Sequence, residues 1–218
     1  MSGIIETITI QNWVIRIQRP KGSGPFPVVL MLHGWTGDEN SMWIFASRLP
    51  KKALIIAPRG LFTARETGYS WHPEIPTSWP WINDFLPAAE SLYNQISVRN
   101  ITDGNFDELN ILGFSQGAAL AYAMTIIHPE RVTSLAGLSG FLPAGASSWL
   151  GPNRLNGLPV FIAHGTNDDL VPVERARESV GFLQDAGANV IYCEDNVSHK
   201  LSAKCFHGLE AFYQKVNC

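Results

Sequence analysis

Charge is scarce in this 218-residue chain. Charged residues make up 16% of it, with 16 Lys and Arg against 19 Asp and Glu and a formal net charge of −3. No Lys/Arg block interrupts it, so it lacks the electrostatic footprint of a protein that binds nucleic acid or an anionic membrane surface. Long apolar runs are also missing. Stretches such as Phe26 to Leu32 fall far short of the ~20 residues a membrane helix needs. Cysteine is rare: Cys193, Cys205 and Cys218 are odd in number, late and irregularly spaced. That pattern predicts neither a disulfide framework nor a zinc site, and makes a reducing, cytoplasmic setting the expectation. The opening residues, Met1-Ser2-Gly3-Ile4-Ile5-Glu6-Thr7, lack the basic and apolar regions of a signal peptide. Repeats and low-complexity tracts are lacking too. Hydrophobic residues, at 45%, are too many for disorder.

The length suits one domain, residues 1–218, and folding a chain of this size buries roughly 70% of its unfolded surface. Apolar β-branched runs alternate with helical patterns along nearly all of it. Ile4–Ile10 and Trp13–Gln18 alternate apolar and polar residues and predict an edge hairpin turned at Gln11-Asn12. Pro27–Leu32, Ala53–Ala57, Leu109–Phe114, Val132–Leu138, Val160–Ala163 and Val190–Cys193 are continuous apolar runs, as expected of strands covered on both faces. Helical patterns fall near Ser41–Leu49, Asp84–Ser97, Gln116–Ile127, Val173–Ala186 and Ser202–Val216. The alternation predicts an α/β fold with a mostly parallel central sheet, helices on both faces and no separate cap domain. Two stretches break the rhythm. Gly60 to Asn83 gathers Phe62, Tyr69, Trp71, Trp79 and Trp81 with Gly68, Pro73, Pro76 and Pro80; Gly140 to Gly157 is rich in Gly, Pro, Ser and Asn. Long irregular segments in a compact domain are commonly functional loops.

Gly113-Phe114-Ser115-Gln116-Gly117 fits G-x-S-x-G, lying after an apolar strand and before a helix. A strand-to-helix turn that sharp strains its central residue, and small residues two before and two after let strand and helix approach. The serine hydroxyl then projects above the sheet at a helix N-terminus. On such a fold the acid and the base follow the nucleophile in that chain order. Asp168 and Asp169 both lie on the turn after Val160–Ala163, at the carboxyl end of the sheet. Either could instead be a turn or cap residue. Six histidines compete for the base. His33 and His164 each precede Gly at a strand end and fit loop-shaping hydrogen bonds; His128 fits a helix end and His207 a helix surface. His72 lies in the aromatic loop and is a candidate for substrate contact. His199 lies in the loop between the last strand and last helix, on the same face as Ser115, and is the expected base. Leu32-His33-Gly34-Trp35-Thr36-Gly37 supplies the expected first oxyanion donor, the backbone N–H of Trp35, and Gln116 the second.

The chain resembles the phospholipase/carboxylesterase family of α/β-hydrolases, which includes acyl-protein thioesterases and small bacterial carboxylesterases. The resemblance runs from about Pro27 to the C-terminus. Leu32-His33-Gly34, Ala57-Pro58-Arg59-Gly60, the Ser115 motif, Leu138-Ser139-Gly140-Phe141-Leu142-Pro143, His164 to Pro172 and His199-Lys200 carry it. It implies that the acid is the Asp followed by a short spacer and Val-Pro, which is Asp168. Ala118, where Gly is frequent, and Ser198, where Gly often precedes the base, depart from the family pattern.

The implied activity is hydrolysis of a small carboxylic ester with an apolar part, short-chain or aryl, through an acyl-enzyme, with no metal and no organic cofactor. Acyl-protein thioesterase or lysophospholipase action is the alternative, and a non-catalytic ligand receptor is a remote one. The aromatic loop adds an expectation: Trp71, Trp79, Trp81, Tyr69 and His72 contact substrate, with Trp35 beside them; the alternative for Trp71, Trp79 and Trp81 is that they pin the loop down. A homodimer is compatible with the sequence.

Overall fold

Runs such as Val28–Leu32 are apolar at every position because both faces of the strand are covered. The computed structural model describes residues 4–64, 67–73, 79–97 and 99–216. Parts of the Gly60–Asn83 stretch, Pro76 among them, and Cys218 lie outside the described residues. The strands are β1 (Ile4–Ile10), β2 (Trp13–Arg19), β3 (Phe26–Leu32), β4 (Leu54–Pro58), β5 (Phe62–Thr63), β6 (Tyr69–Ser70), β7 (Gly104–Phe114), β8 (Val132–Leu138), β9 (Pro159–Gly165) and β10 (Asn189–Asp195). The helices are α1 (Trp43–Ala46), α2 (Ile82–Gln95), α3 (Gln116–Ile127), α4 (Val173–Asp185) and α5 (Ala203–Lys215). Eight strands form the central sheet in the order β1-β2-β4-β3-β7-β8-β9-β10, and β5 and β6 form a small hairpin. β1 and β2 pair antiparallel, as do β2 and β4. From β4 to β10 every pairing is parallel.

The two-residue period of a strand divides the core. Val28, Leu30 and Leu32 of β3, with Leu54 and Ile56 of β4, point to the side covered by α2, α3 and α4, where Phe85, Leu120 and Leu183 meet them. Val29, Met31, Ile55 and Ala57 point the other way, where Phe45 of α1 and Leu209 and Phe212 of α5 pack. The expected sheet with helices on both faces is therefore present. The carboxyl ends of β3, β7, β9 and β10 deliver the loops that hold the site.

Two expectations need correction. The Ser41–Leu49 pattern yields a single helical turn, Trp43–Ala46. The residues before it are engaged otherwise. The Asp38 carboxylate accepts from the Asn40 N–H at 2.8 Å and the Ser41 hydroxyl at 2.9 Å, and the Trp43 indole N–H donates to the Glu39 carbonyl at 2.8 Å. Second, Cys193 and Cys205 form a disulfide, 12 residues apart in sequence. β10 and the first turn of α5 approach each other there, which spacing alone does not reveal. Cysteine usage thus gives no support to a reducing compartment. Among the described residues no helix is long and apolar enough to cross a membrane.

Candidate active site

Ser115 sits between β7 and α3 with φ 54° and ψ −117°, a left-handed conformation that an L residue adopts only under constraint. Its N–H donates to the Leu138 carbonyl at 2.8 Å, and its carbonyl accepts from Ala118 and Ala119 at 3.0 and 3.2 Å. Those bonds on both sides hold the turn. Glycine is required around it. A Cβ on Gly113 would collide with the Gly117 carbonyl, and one on Gly117 with the Leu32 carbonyl. The motif's small residues are thus explained by contact between strand, elbow and oxyanion turn.

Hydrogen bonds distinguish Asp168 from Asp169. The Asp168 side chain is fully buried. Its Oδ1 accepts from the backbone N–H of Leu170 at 3.0 Å and of Val171 at 2.9 Å. Its Oδ2 lies 2.7 Å from Nδ1 of His199 and 3.3 Å from Nε2 of His164. Asp169 is exposed. Because a carboxylate only accepts, His199 carries its proton on Nδ1, and Nε2 keeps a lone pair. The His199 ring also lies 5.0 Å from the ring of Phe114, the residue before Ser115. Among the described residues no hydrogen bond joins the Ser115 hydroxyl to His199. Such bonds commonly tighten only when substrate is bound.

His164 is a second histidine at the acid. Its Nε2 donates to the Val171 carbonyl at 2.8 Å, on the turn whose N–H groups hold Asp168. Its Nδ1 is buried and finds no partner among the described residues. Burial lowers its pKa, so it stays neutral. The expectation of a loop-shaping histidine holds, and the loop it shapes carries Asp168.

His33 plays the matching part at the oxyanion turn. Its Nδ1–H donates to the Gly34 carbonyl at 2.7 Å, and its Nε2 accepts the Gly60 N–H at 2.9 Å. Burial lowers its pKa to about 4 and keeps it neutral. The turn it braces carries Trp35. Among the described residues the Trp35 N–H finds no protein acceptor, while the next two N–H groups do: Thr36 donates to Tyr69 at 3.0 Å and Gly37 to Gly34 at 2.9 Å. The Gln116 N–H, first in α3, is likewise free, as the opening N–H of a helix is. Both N–H groups expected as oxyanion donors thus lack a protein acceptor among the described residues.

The aromatic loop is where expectation and structure part. Trp71 is buried, stacked with its ring 6.3 Å from that of Trp13 and tilted against His33 at 4.5 Å, and its indole N–H donates to the His33 carbonyl at 2.7 Å. It is core, not pocket wall. His72 is also buried, and its Nε2 lies 2.9 Å from Nε2 of the Gln116 side-chain amide. That amide also donates to the Ser70 hydroxyl at 3.0 Å, so Gln116 pins the loop to the nucleophile helix. Tyr69 stacks under the Arg59 guanidinium and accepts from it at 3.1 Å. Trp79 packs edge-on against Phe141 and beneath Arg175. Trp81, 58% exposed, rests on Gly145. Pinning of the loop, the alternative for its tryptophans, describes Trp71 and Trp79, and Tyr69 and His72 are held by hydrogen bonds of their own.

A cleft of about 590 Å³ opens elsewhere, between the Gly34–Gly37 turn, α1 and the start of α5. Trp35, Phe114 and His199 line it, but none of the described aromatics of the Gly60–Asn83 loop does. Sequence reading missed its other walls. Ile44 and Phe45 lay inside a predicted helix and Phe206 inside another, and nothing local marked them.

Known proteins give the geometry its context. The description phospholipase/carboxylesterase belongs to the family model that matches residues 15–217. A rice (Oryza sativa subsp. japonica) protein named a probable inactive carboxylesterase is 30% identical over 62% of this chain. This chain spans only about half of that relative, 52% of its length. Acyl-protein thioesterase 1 of Kluyveromyces lactis is 30% identical over 72% of the chain and 76% of the yeast protein. Among solved structures, the Bacillus cereus carboxylesterase superposes with a TM-score of 0.81 at 20% identity, covering 98% of this chain and 95% of that one, a likeness of fold. With nearly the whole chain under one family description, the protein belongs to the phospholipase/carboxylesterase family of α/β-hydrolases.

Proposed function

We propose that the chain is a serine hydrolase, folded as one α/β-hydrolase domain, that cleaves a small carboxylic ester through an acyl-enzyme. The observation that carries this is the Asp168–His199 pair, 2.7 Å apart, at the same end of the sheet as the strained Ser115 elbow. Ser115 Oγ attacks the carbonyl carbon while His199 Nε2 takes its proton. The carbonyl π electrons move onto oxygen, where the free N–H groups of Trp35 and Gln116 receive the negative charge. Asp168 holds the His199 tautomer and stabilises the imidazolium. When the carbonyl re-forms, the bond to the leaving oxygen breaks and His199 delivers its proton there. Water, deprotonated by His199, then repeats the attack, releasing the acid and regenerating Ser115.

Ser115→Ala is expected to lower kcat by about 10⁴-fold or more without unfolding the chain. Labelling by a fluorophosphonate probe should vanish with it. Near-normal turnover in that variant would sink the assignment. An acyl-protein thioesterase or lysophospholipase would use the same groups, and parallel rates on p-nitrophenyl esters, acyl thioesters and lysophospholipids separate these readings.

A further inference from the structure

We propose that the cleft between the oxyanion turn and the start of α5 takes the leaving-group side of the substrate, and that this group is apolar and bulky, an aryl or branched alcohol. The inference rests on the serine-hydrolase reading and deepens it. In the tetrahedral intermediate the reacting carbon carries Ser115 Oγ, the oxyanion, the acyl substituent and the leaving oxygen. The oxyanion must face the N–H groups of Trp35 and Gln116. The leaving oxygen must face His199, because His199 supplies its proton. Whatever is bonded to that oxygen therefore continues past His199.

The space past His199 is this cleft. His199 and Leu201 form one wall, Trp35, Met42 and Ile44 the other, with Phe114 beside His199. Phe206 stacks on Phe45, with ring centroids 5.4 Å apart, behind them. Its volume, about 590 Å³, lies in the range of small-molecule sites. Trp35, Phe114 and Phe206 in its lining suit an aromatic ring. Trp35 and Ile44 stand 45% and 67% exposed at the rim, apolar surface that an occupant would cover. Thr36, Ser41 and Lys200 are its polar fringe. The acyl substituent points away from this cleft.

The test uses two substrate series with the parent chain, Ile44→Ala and Ile44→Trp. One series holds the acyl group as acetate and enlarges the leaving group from ethyl to benzyl to 2-naphthyl. The other holds p-nitrophenol and lengthens the acyl chain from acetate to octanoate. Variant-to-parent ratios of kcat/KM cancel the intrinsic reactivity of each ester. Emptying the wall with Ile44→Ala should lower the 2-naphthyl ratio relative to the ethyl ratio by about ten-fold, the scale of a changed hydrophobic pocket. Filling it with Ile44→Trp should penalise 2-naphthyl more than ethyl. Both variants should leave the acyl-length dependence of the parent in place. A shift in acyl-length preference instead would assign the cleft to the acyl group and overturn the proposal. Equal ratios across both series would show the cleft empty during turnover and overturn it too. Failure of the hydrolase reading is distinguishable: the parent chain would then neither hydrolyse an ester nor take a fluorophosphonate at Ser115.

Discussion

Asp168→Asn tests the site more sharply than removal of the nucleophile, because the substitution changes one atom and the structure dictates its orientation. Oδ1 of Asp168 accepts two backbone N–H groups, those of Leu170 and Val171. An asparagine NH₂ cannot sit there, so the amide oxygen must keep that side. The NH₂ then replaces Oδ2, where it faces His199 Nδ1 and His164 Nε2. To accept from it, His199 must move its own proton from Nδ1 to Nε2. The imidazole is then a donor toward Ser115 and cannot take its proton. The same swap of tautomer in a serine protease lowers kcat by roughly 10⁴-fold, or about 5.5 kcal/mol, and a loss of that size is expected here. A stability cost of about 1–3 kcal/mol accompanies it, because the His164 N–H and the new NH₂ are both donors at a buried contact. The assay is kcat on a p-nitrophenyl ester together with the rate of fluorophosphonate labelling, on protein shown folded by denaturant titration. Both rates should fall in parallel. Asp169→Asn, at an exposed position, should stay within about two-fold of the parent, as surface changes do. If folded Asp168→Asn keeps more than a tenth of the parent activity, the tautomer argument is wrong. If Asp169→Asn abolishes activity, the acid is misassigned.

Acid should destabilise the fold through His33, whose pKa burial lowers from the usual 6.5 to about 4. The unfolded chain binds that proton below pH 6.5 and the folded chain does not until about pH 4, so this stability is complete above 6.5 and is lost as pH falls, by about 3 kcal/mol at the lower limit. Denaturant midpoints at pH 7, 5.5 and 4.5 read it, and a midpoint that does not fall would refute it; His164 acts with the same sign. Trp71→Ala should cost about 3–5 kcal/mol, the usual penalty for emptying a large aromatic site in a core, while leaving acyl chain-length preference unchanged; altered preference without loss of stability would restore Trp71 to the pocket. Reducing the Cys193–Cys205 disulfide, which closes a 12-residue separation around His199, should cost about 3 kcal/mol by loop entropy and lower activity with it. Alkylation of both cysteines without reductant would show that the bond does not form.

The family and the candidate site were legible in the sequence because each part of the site is local. A strand buried on both faces announces itself as an apolar run, and Gly113-Phe114-Ser115-Gln116-Gly117 contains within five residues the contacts that force the elbow. The oxyanion turn and the His199 loop each follow a recognisable strand. Even there, Asp168 and Asp169 are equivalent as neighbours on a turn. What separates them is the aim of the Leu170 and Val171 N–H groups, a consequence of the path to Pro172 that the family resemblance, not the residue pattern, supplied. The aromatic loop misled for the converse reason. Hydrophobicity does not say which partner an indole meets, and the partners of Trp71 are Trp13 on β2 and a carbonyl on the turn after β3, both distant in sequence. The disulfide has the same origin, in an approach of β10 to α5 that no spacing rule contains. The cleft is the extreme case. Its walls come from residues 34–45, Phe114 and residues 199–206, segments brought together only by the order in which β3, β7 and β10 enter the sheet. Reaction type therefore depends on short motifs, whereas specificity depends on a sum over segments. A relative that kept every motif named here but changed residues 42–45 and 206 should keep the reaction and change the alcohol it releases.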